Sequence, residues 1–220
     1  MSDIKFFEHS NTKNPKHLVI FLHGYGANGE NLLTLSGELE NSIKDAHFIS
    51  PNAIQPWEGG FPNCYQWFSL GNGLSKMNPQ ELSKIVQDAN DVLWNFIEEQ
   101  LKRFNLEAEN LILAGFSQGA MMAMYQGLTN TRKLKGIIAF SGRLILPEDI
   151  GKATKQKPEI CLIHGTADSV VPFSHFLEAE KTLKKLEVPF ESHEIKNLDH
   201  SIDIGAVRAA QSFLKRISSN

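Results

Sequence analysis

Residues 111 to 119 read Leu-Ile-Leu-Ala-Gly-Phe-Ser-Gln-Gly, an apolar run of strand length that stops on Gly-x-Ser-x-Gly and passes into the helix-forming stretch 120 to 124. That is the pattern of a nucleophile elbow, a sharp strand-to-helix turn that lifts a serine hydroxyl above a sheet. Gly115 and Gly119 leave room where a Cβ would collide with the turn. A serine hydroxyl is a poor nucleophile near neutral pH, so Ser117 needs a base in reach and a carboxylate that orients the base and stabilises it as it charges. The chain supplies both. Glu-Ile-Cys-Leu-Ile-His-Gly-Thr-Ala-Asp (159 to 168) places Asp168 in the turn after an apolar strand, and Asn-Leu-Asp-His-Ser (197 to 201) places His200 in a loop between the last strand and the last helix. Each group thus sits at the carboxyl end of its strand, where open parallel sheets bind ligands, in the chain order Ser, Asp, His.

Acyl transfer also needs two N–H donors aimed at the oxygen that becomes negative in the tetrahedral intermediate. One is expected from the backbone of Gln118, next after the nucleophile and at a helix N-terminus. The second is expected from His23-Gly24-Tyr25-Gly26, after the first apolar strand, with the backbone N–H of Tyr25 the preferred donor.

Other assignments compete for the same residues. Histidines 9, 17, 47 and 193 lie before or within strands and His175 lies early in a helix, so each reads as structural or surface; His164 reads as shaping the Asp168 turn. Asp199 and Asp203 adjoin His200, but neighbours within one turn seldom aim side chains at each other as a triad requires. No helical His-x-x-x-His or Cys-x-x-Cys accompanies His164, Asp168 and His200, so no metal is expected. The main rival lies at Gly24-Tyr25-Gly26-Ala27-Asn28-Gly29, which matches the G-x-G-x-x-G of dinucleotide-binding domains between a strand and a helix. Such a domain wants an acid at the end of the next strand, and that strand ends Phe48-Ile49-Ser50-Pro51-Asn52. A non-catalytic binding module on the same fold is the other alternative.

The elements that must position these groups follow from periodicity. Apolar runs at 18 to 22, 46 to 50, 111 to 115, 136 to 140 and 159 to 163, with a weaker one at 188 to 195, predict strands buried on both faces. Helices are predicted at 30 to 40, 79 to 103, 118 to 128, 174 to 187 and 202 to 217; that at 79 opens on Asn78 as N-cap with Pro79 and Glu81 following. The alternation predicts a mostly parallel sheet with helices on both faces. The stretch 51 to 78 is a long excursion whose Trp57, Phe61, Tyr65, Trp67 and Phe68 suggest a lid or pocket wall, or a loop pinned by aromatic packing.

At 220 residues, with a formal net charge of -3, the chain fits one domain, 1 to 220, and offers no electrostatic reason to bind nucleic acid. The amino-terminal residues lack the basic and long apolar regions of a secretory signal, and no apolar run is long enough for stable membrane insertion. Two cysteines, Cys64 and Cys161, give no disulfide framework, so a cytoplasmic location is expected.

Together Leu22-His23-Gly24-Tyr25-Gly26, Gly115-Phe116-Ser117-Gln118-Gly119, Phe140-Ser141-Gly142, His164-Gly165-Thr166-Ala167-Asp168 with Val171-Pro172, and His200 resemble the phospholipase/carboxylesterase group of α/β-hydrolases, which includes the acyl-protein thioesterases. The resemblance spans about 16 to 216. It implies a compact α/β-hydrolase fold with a short lid loop, and hydrolysis of small carboxylic esters or thioesters without a cofactor through an acyl-enzyme on Ser117. Trp67, Phe68, Arg143 and Val171 are taken as pocket residues. Ala120, Ser69 and Arg143 depart from the group's pattern; Arg143 either attracts a substrate carboxylate or braces a loop through backbone carbonyls, the second being preferred. The chain looks more like the bacterial branch of the group than like a dedicated protein-depalmitoylating enzyme.

Overall fold

Alternation within each strand sets the architecture. In β2 (His17–Leu22), Leu18, Ile20 and Leu22 face one core while Val19 and Phe21 face another, and all five are fully buried. The same split recurs in β6 (Leu111–Phe116), β7 (Gly136–Phe140) and β8 (Glu159–Gly165). Strands that are apolar on both faces need cover on both, which is the situation of a parallel sheet with crossover helices. With β1 (Phe6–Ser10), β3 (Ala46–Pro51) and β9 (Phe190–Ile195) they form a seven-stranded sheet in the order β1-β3-β2-β6-β7-β8-β9. Only β1 runs antiparallel to its neighbour. One face carries α3 (Pro79–Phe104), α4 (Gln118–Thr129) and α5 (Ser174–Lys185); the other carries α1 (Gly29–Leu33), α2 (Leu35–Leu39) and α6 (Ile204–Ser218).

This computed structural model describes residues 4–71, 73, 77–146 and 156–219. Positions 72 and 74 to 76 of the 51 to 78 excursion therefore lie outside the described residues. Three features differ from the sequence expectation. The edge strand β1 was not anticipated, because its side chains are only half-buried or exposed and its apolar residues are adjacent rather than alternating. The helix expected over 30 to 40 is two short helices joined at Thr34, whose hydroxyl donates back to the Asn31 carbonyl at 2.7 Å, a bond that competes with helical continuation. Within the 51 to 78 excursion, β4 (Gln55–Pro56) and β5 (Tyr65–Gln66) pair as a small antiparallel ladder.

The register aligns the carboxyl ends. Leu22 pairs with Gly115, Phe116 with Phe140, Phe140 with Ile163, and Gly165 with Ile195. Hydrogen bonds continue just beyond the ladder, from Ser117 N–H to the Phe140 carbonyl at 2.9 Å, Ser141 N–H to Ile163 at 2.8 Å and Thr166 N–H to Ile195 at 3.0 Å. The loops that carry the candidate groups thus leave the sheet along one rim.

Candidate active site

Ser117 occupies the turn between β6 and α4 with φ 55 and ψ -115, a conformation that a residue with a side chain rarely adopts. Packing holds it there. A Cβ on Gly115 would run into the backbone of Gly119, and one on Gly119 into the carbonyl oxygen of Leu22, so the helix can approach the sheet only with glycine at both places.

The Asp168 turn is held by its own carboxylate. One oxygen, Oδ1, accepts the backbone N–H groups of Val170 at 3.0 Å and Val171 at 2.7 Å. The other, Oδ2, faces His200 Nδ1 at 2.8 Å and His164 Nε2 at 3.3 Å. His164 Nε2 also lies 2.9 Å from the Val171 carbonyl, so that its N–H is donated within the turn; burial pushes the His164 pKa down, which keeps the ring neutral. The two loops are tied together by Asp199, whose Oδ1 accepts from the Ser169 N–H at 2.9 Å, the Ser169 hydroxyl at 2.8 Å and the His200 N–H at 2.8 Å. These bonds, led by the Ser169 N–H, lower the pKa of Asp199. Asp199 therefore organises the backbone and is not the carboxylate that meets the imidazole. This bracing role was not read from sequence, because it works through main-chain donors that any residue would supply.

His200 bridges the two sides. Its Nδ1 meets Asp168, its Nε2 lies 3.0 Å from Ser117 Oγ, and its ring packs on Phe116 with centroids 4.7 Å apart. Nδ1–H donates to the carboxylate, which leaves the Nε2 lone pair facing the serine hydroxyl. The structure thus brings together Ser117, Asp168 and His200, the three residues picked out by spacing and strand position.

A cavity of about 530 Å³ opens over Ser117, bordered by Tyr25, Gln118, Met121, Arg143, Val171 and His175 among others. Neither the Tyr25 nor the Gln118 backbone N–H donates to a protein acceptor among the described residues. Gly24 lets the Tyr25 turn lie against Phe116 and Ser117, since a Cβ there would sit 3.2 Å from the Phe116 ring and 3.4 Å from Ser117 Cβ. The Tyr25 hydroxyl donates to Glu58, whose other oxygen accepts the Ser69 hydroxyl at 2.6 Å. Burial and the Glu58 carboxylate push the Tyr25 pKa up to about 12.

The pocket assignment needs correcting at two positions. Trp67 and Phe68 do not border the cavity; both are fully buried in the core. The buried side chain of Gln118 holds them, accepting the Trp67 N–H at 2.9 Å and donating to the Phe68 carbonyl at 2.7 Å, while Trp67 Nε1 donates to the His23 carbonyl at 2.9 Å. Aromatic content on a long loop could not distinguish a pocket wall from an anchor. Val171 and Arg143 do border the cavity. Among the described residues Arg143 makes no hydrogen bond or ion pair, so nothing there supports the bracing role preferred for it. His175, read from sequence as structural, also borders the cavity; its place on the first turn after Val171-Pro172 was the available signal.

The glycines of the rival dinucleotide motif have other work. Gly26 N–H donates to the Tyr65 carbonyl at 2.9 Å and Ala27 N–H to the Gly24 carbonyl at 3.2 Å, while a Cβ on Gly29 would strike the backbone of Ser50 and Pro51. The turn is thus spent on packing against β3 and β5. Cys161, Glu191 and His193 place one ligand-type atom each within 4.8 Å of one another on β8 and β9. There Glu191 is already engaged by His193 at 3.0 Å and by Arg216 at 2.8 Å, and the guanidinium opposes a cation.

Residues 6–218 match the model of the phospholipase/carboxylesterase family. Among curated relatives, acyl-protein thioesterase 1 homolog 1 of Dictyostelium discoideum is 30% identical over 83% of this chain and 82% of its own length. Acyl-protein thioesterase 1 of Emericella nidulans is 28% identical over 90% of this chain and 89% of its own. Among solved structures, esterase PE8 superposes with a TM-score of 0.90 at 34% identity, covering 97% of this chain and 99% of that one. On the match of nearly its whole length, the chain belongs to the phospholipase/carboxylesterase family of α/β-hydrolases.

Proposed function

We propose that this serine hydrolase cleaves small carboxylic esters or thioesters through an acyl-enzyme on Ser117, with His200 as general base and Asp168 as the carboxylate that orients it. The observation that carries the assignment is the imidazole with one nitrogen 3.0 Å from Ser117 Oγ and the other 2.8 Å from Asp168 Oδ2. His200 Nε2 takes the hydroxyl proton as Oγ attacks the acyl carbonyl, and Asp168 stabilises the imidazolium that forms. The oxyanion is held by the backbone N–H groups of Tyr25 and Gln118. Collapse expels the alcohol or thiol with the proton from Nε2, and water repeats the sequence to release the acid. Family membership and the esterase and thioesterase relatives support ester hydrolysis.

The same reading takes residues 1–220 as one domain working in the cytoplasm. Free Cys64 and Cys161 suit a reducing compartment, and among the described residues no helix is long and apolar enough to cross a membrane. The test is turnover of a short p-nitrophenyl ester. Ser117→Ala is expected to lower kcat by about 10⁴- to 10⁶-fold with the fold intact, and near-normal turnover would overturn the assignment.

A further inference from the structure

Three arginines are held by carboxylates: Arg103 by Glu8, Arg132 by Glu98, and Arg216 by Glu159 and Glu191. Arg208 stands exposed on the outer face of α6. Arg143 differs from all of them, because it borders the cavity over Ser117 without a protein partner among the described residues. We infer that Arg143 is a specificity residue for substrates that carry an ionised carboxylate besides the ester to be cleaved, such as a half-ester of a dicarboxylic acid. The inference rests on Ser117 being the nucleophile.

The surroundings favour this class. The cavity walls near Ser117 are largely apolar, formed by Leu70, Phe116, Met121, Val170, Val171 and Pro172. A guanidinium in such a wall makes its strongest bonds to a planar anion, which it meets with two parallel N–H groups. Among the described residues, the acids beside the cavity are committed elsewhere. Asp168 is buried against His200 and His164, Glu58 is bonded by Tyr25 and Ser69, and Glu178 pairs with His175 at 3.1 Å. With a chain charge of -3, general electrostatics do not favour an anion, so a preference for one must come from a local cation. Arg143 is placed to supply it by its backbone: Gly142 lies so close that a Cβ there would be 3.4 Å from the Ser117 carbonyl oxygen.

The test compares kcat/KM for matched pairs of esters. In one arm the charge is on the acyl side, p-nitrophenyl hemiglutarate against neutral p-nitrophenyl glutaramate. In the other it is on the leaving group, 4-carboxyphenyl butyrate against 4-carbamoylphenyl butyrate. Intrinsic reactivity cancels when the charged-to-neutral ratio is divided between wild type and Arg143→Gln. The inference predicts a ratio about ten- to a hundredfold higher in wild type in one arm, partly restored by Arg143→Lys and shrinking with added salt. The arm that responds tells which side of the ester carries the charge. Equal ratios in wild type and Arg143→Gln in both arms would overturn the inference while leaving Ser117 in place. Loss of turnover of all four esters by wild type would instead count against the Ser117 reading.

Discussion

The side-chain oxygen of Gln118 accepts the backbone N–H of Trp67 at 2.9 Å, joining the residue after the nucleophile to the aromatic anchor of the long 51 to 78 excursion. Since Gln118 also donates to the Phe68 carbonyl, one buried amide satisfies the Trp67 N–H and the Phe68 carbonyl together. Gln118→Ala strands two buried groups, each costing about 1 to 3 kcal/mol. The expected result is a fall in the urea midpoint equivalent to about 2 to 6 kcal/mol at unchanged m-value. An unaltered midpoint would show that the clamp carries no weight.

Ser117 sits in a left-handed conformation for the sake of its hydroxyl, and glycine would occupy the same φ without strain. Ser117→Gly is therefore expected to raise unfolding stability by up to about 2 kcal/mol, the relieved strain less the added unfolded-chain entropy of glycine, while abolishing ester turnover. A variant less stable than wild type would mean that the turn is not under strain.

The groups that sequence identified are those for which chemistry demands a residue type at a strand end. Ser117 between glycines, and Asp168 and His200 after later apolar runs, fall in this class. The both-face apolar runs made β2, β3, β6, β7 and β8 equally legible, whereas the half-buried edge strand β9, Phe-Glu-Ser-His-Glu-Ile, gave only a weak run. Trp67 and Phe68 were misplaced because their burial depends on a distant partner, Gln118, whose side-chain direction no local pattern encodes. The edge strand β1 escaped because an edge needs only one partner, β3, and little burial. Asp199 and the Glu58 link to Tyr25 act through tertiary hydrogen bonds between segments far apart in the chain.

His23 is a buried neutral histidine: Nε2 accepts the Ala53 N–H at 2.9 Å, and Nδ1 lies 2.7 Å from the Gly24 carbonyl as donor. Burial pushes its pKa from 6.5 down to about 4. The unfolded chain then binds this proton more readily than the native one. The contribution is intact above pH 6.5 and drains as the pH falls through that value to about 4, where the loss reaches about 3 kcal/mol. Ring-nitrogen chemical shifts recorded by NMR are expected to show His23 neutral at about pH 5.5 in the folded protein. Titration with a midpoint near 6.5 would contradict its placement.

Two glycines offer a paired test of the packing. A Cβ at Gly119 meets the Leu22 carbonyl, whereas a Cβ at Gly37, in α2, meets nothing within 4 Å. Gly119→Ala is expected to destabilise the protein or prevent folding, since backbone cannot yield as a side chain can. Gly37→Ala is expected to stabilise it by about 0.5 to 1 kcal/mol, measured by the same urea titration. The opposite order would refute the close approach of α4 to the sheet.

The most direct test of the central claim is labelling by a fluorophosphonate, which reacts only with a serine made nucleophilic by its surroundings. Wild type is predicted to take up one label per chain, recovered by mass spectrometry on Ser117, and His200→Asn is predicted to remain unlabelled over the same time. Label on another residue, or equal labelling of the His200 variant, would contradict the account.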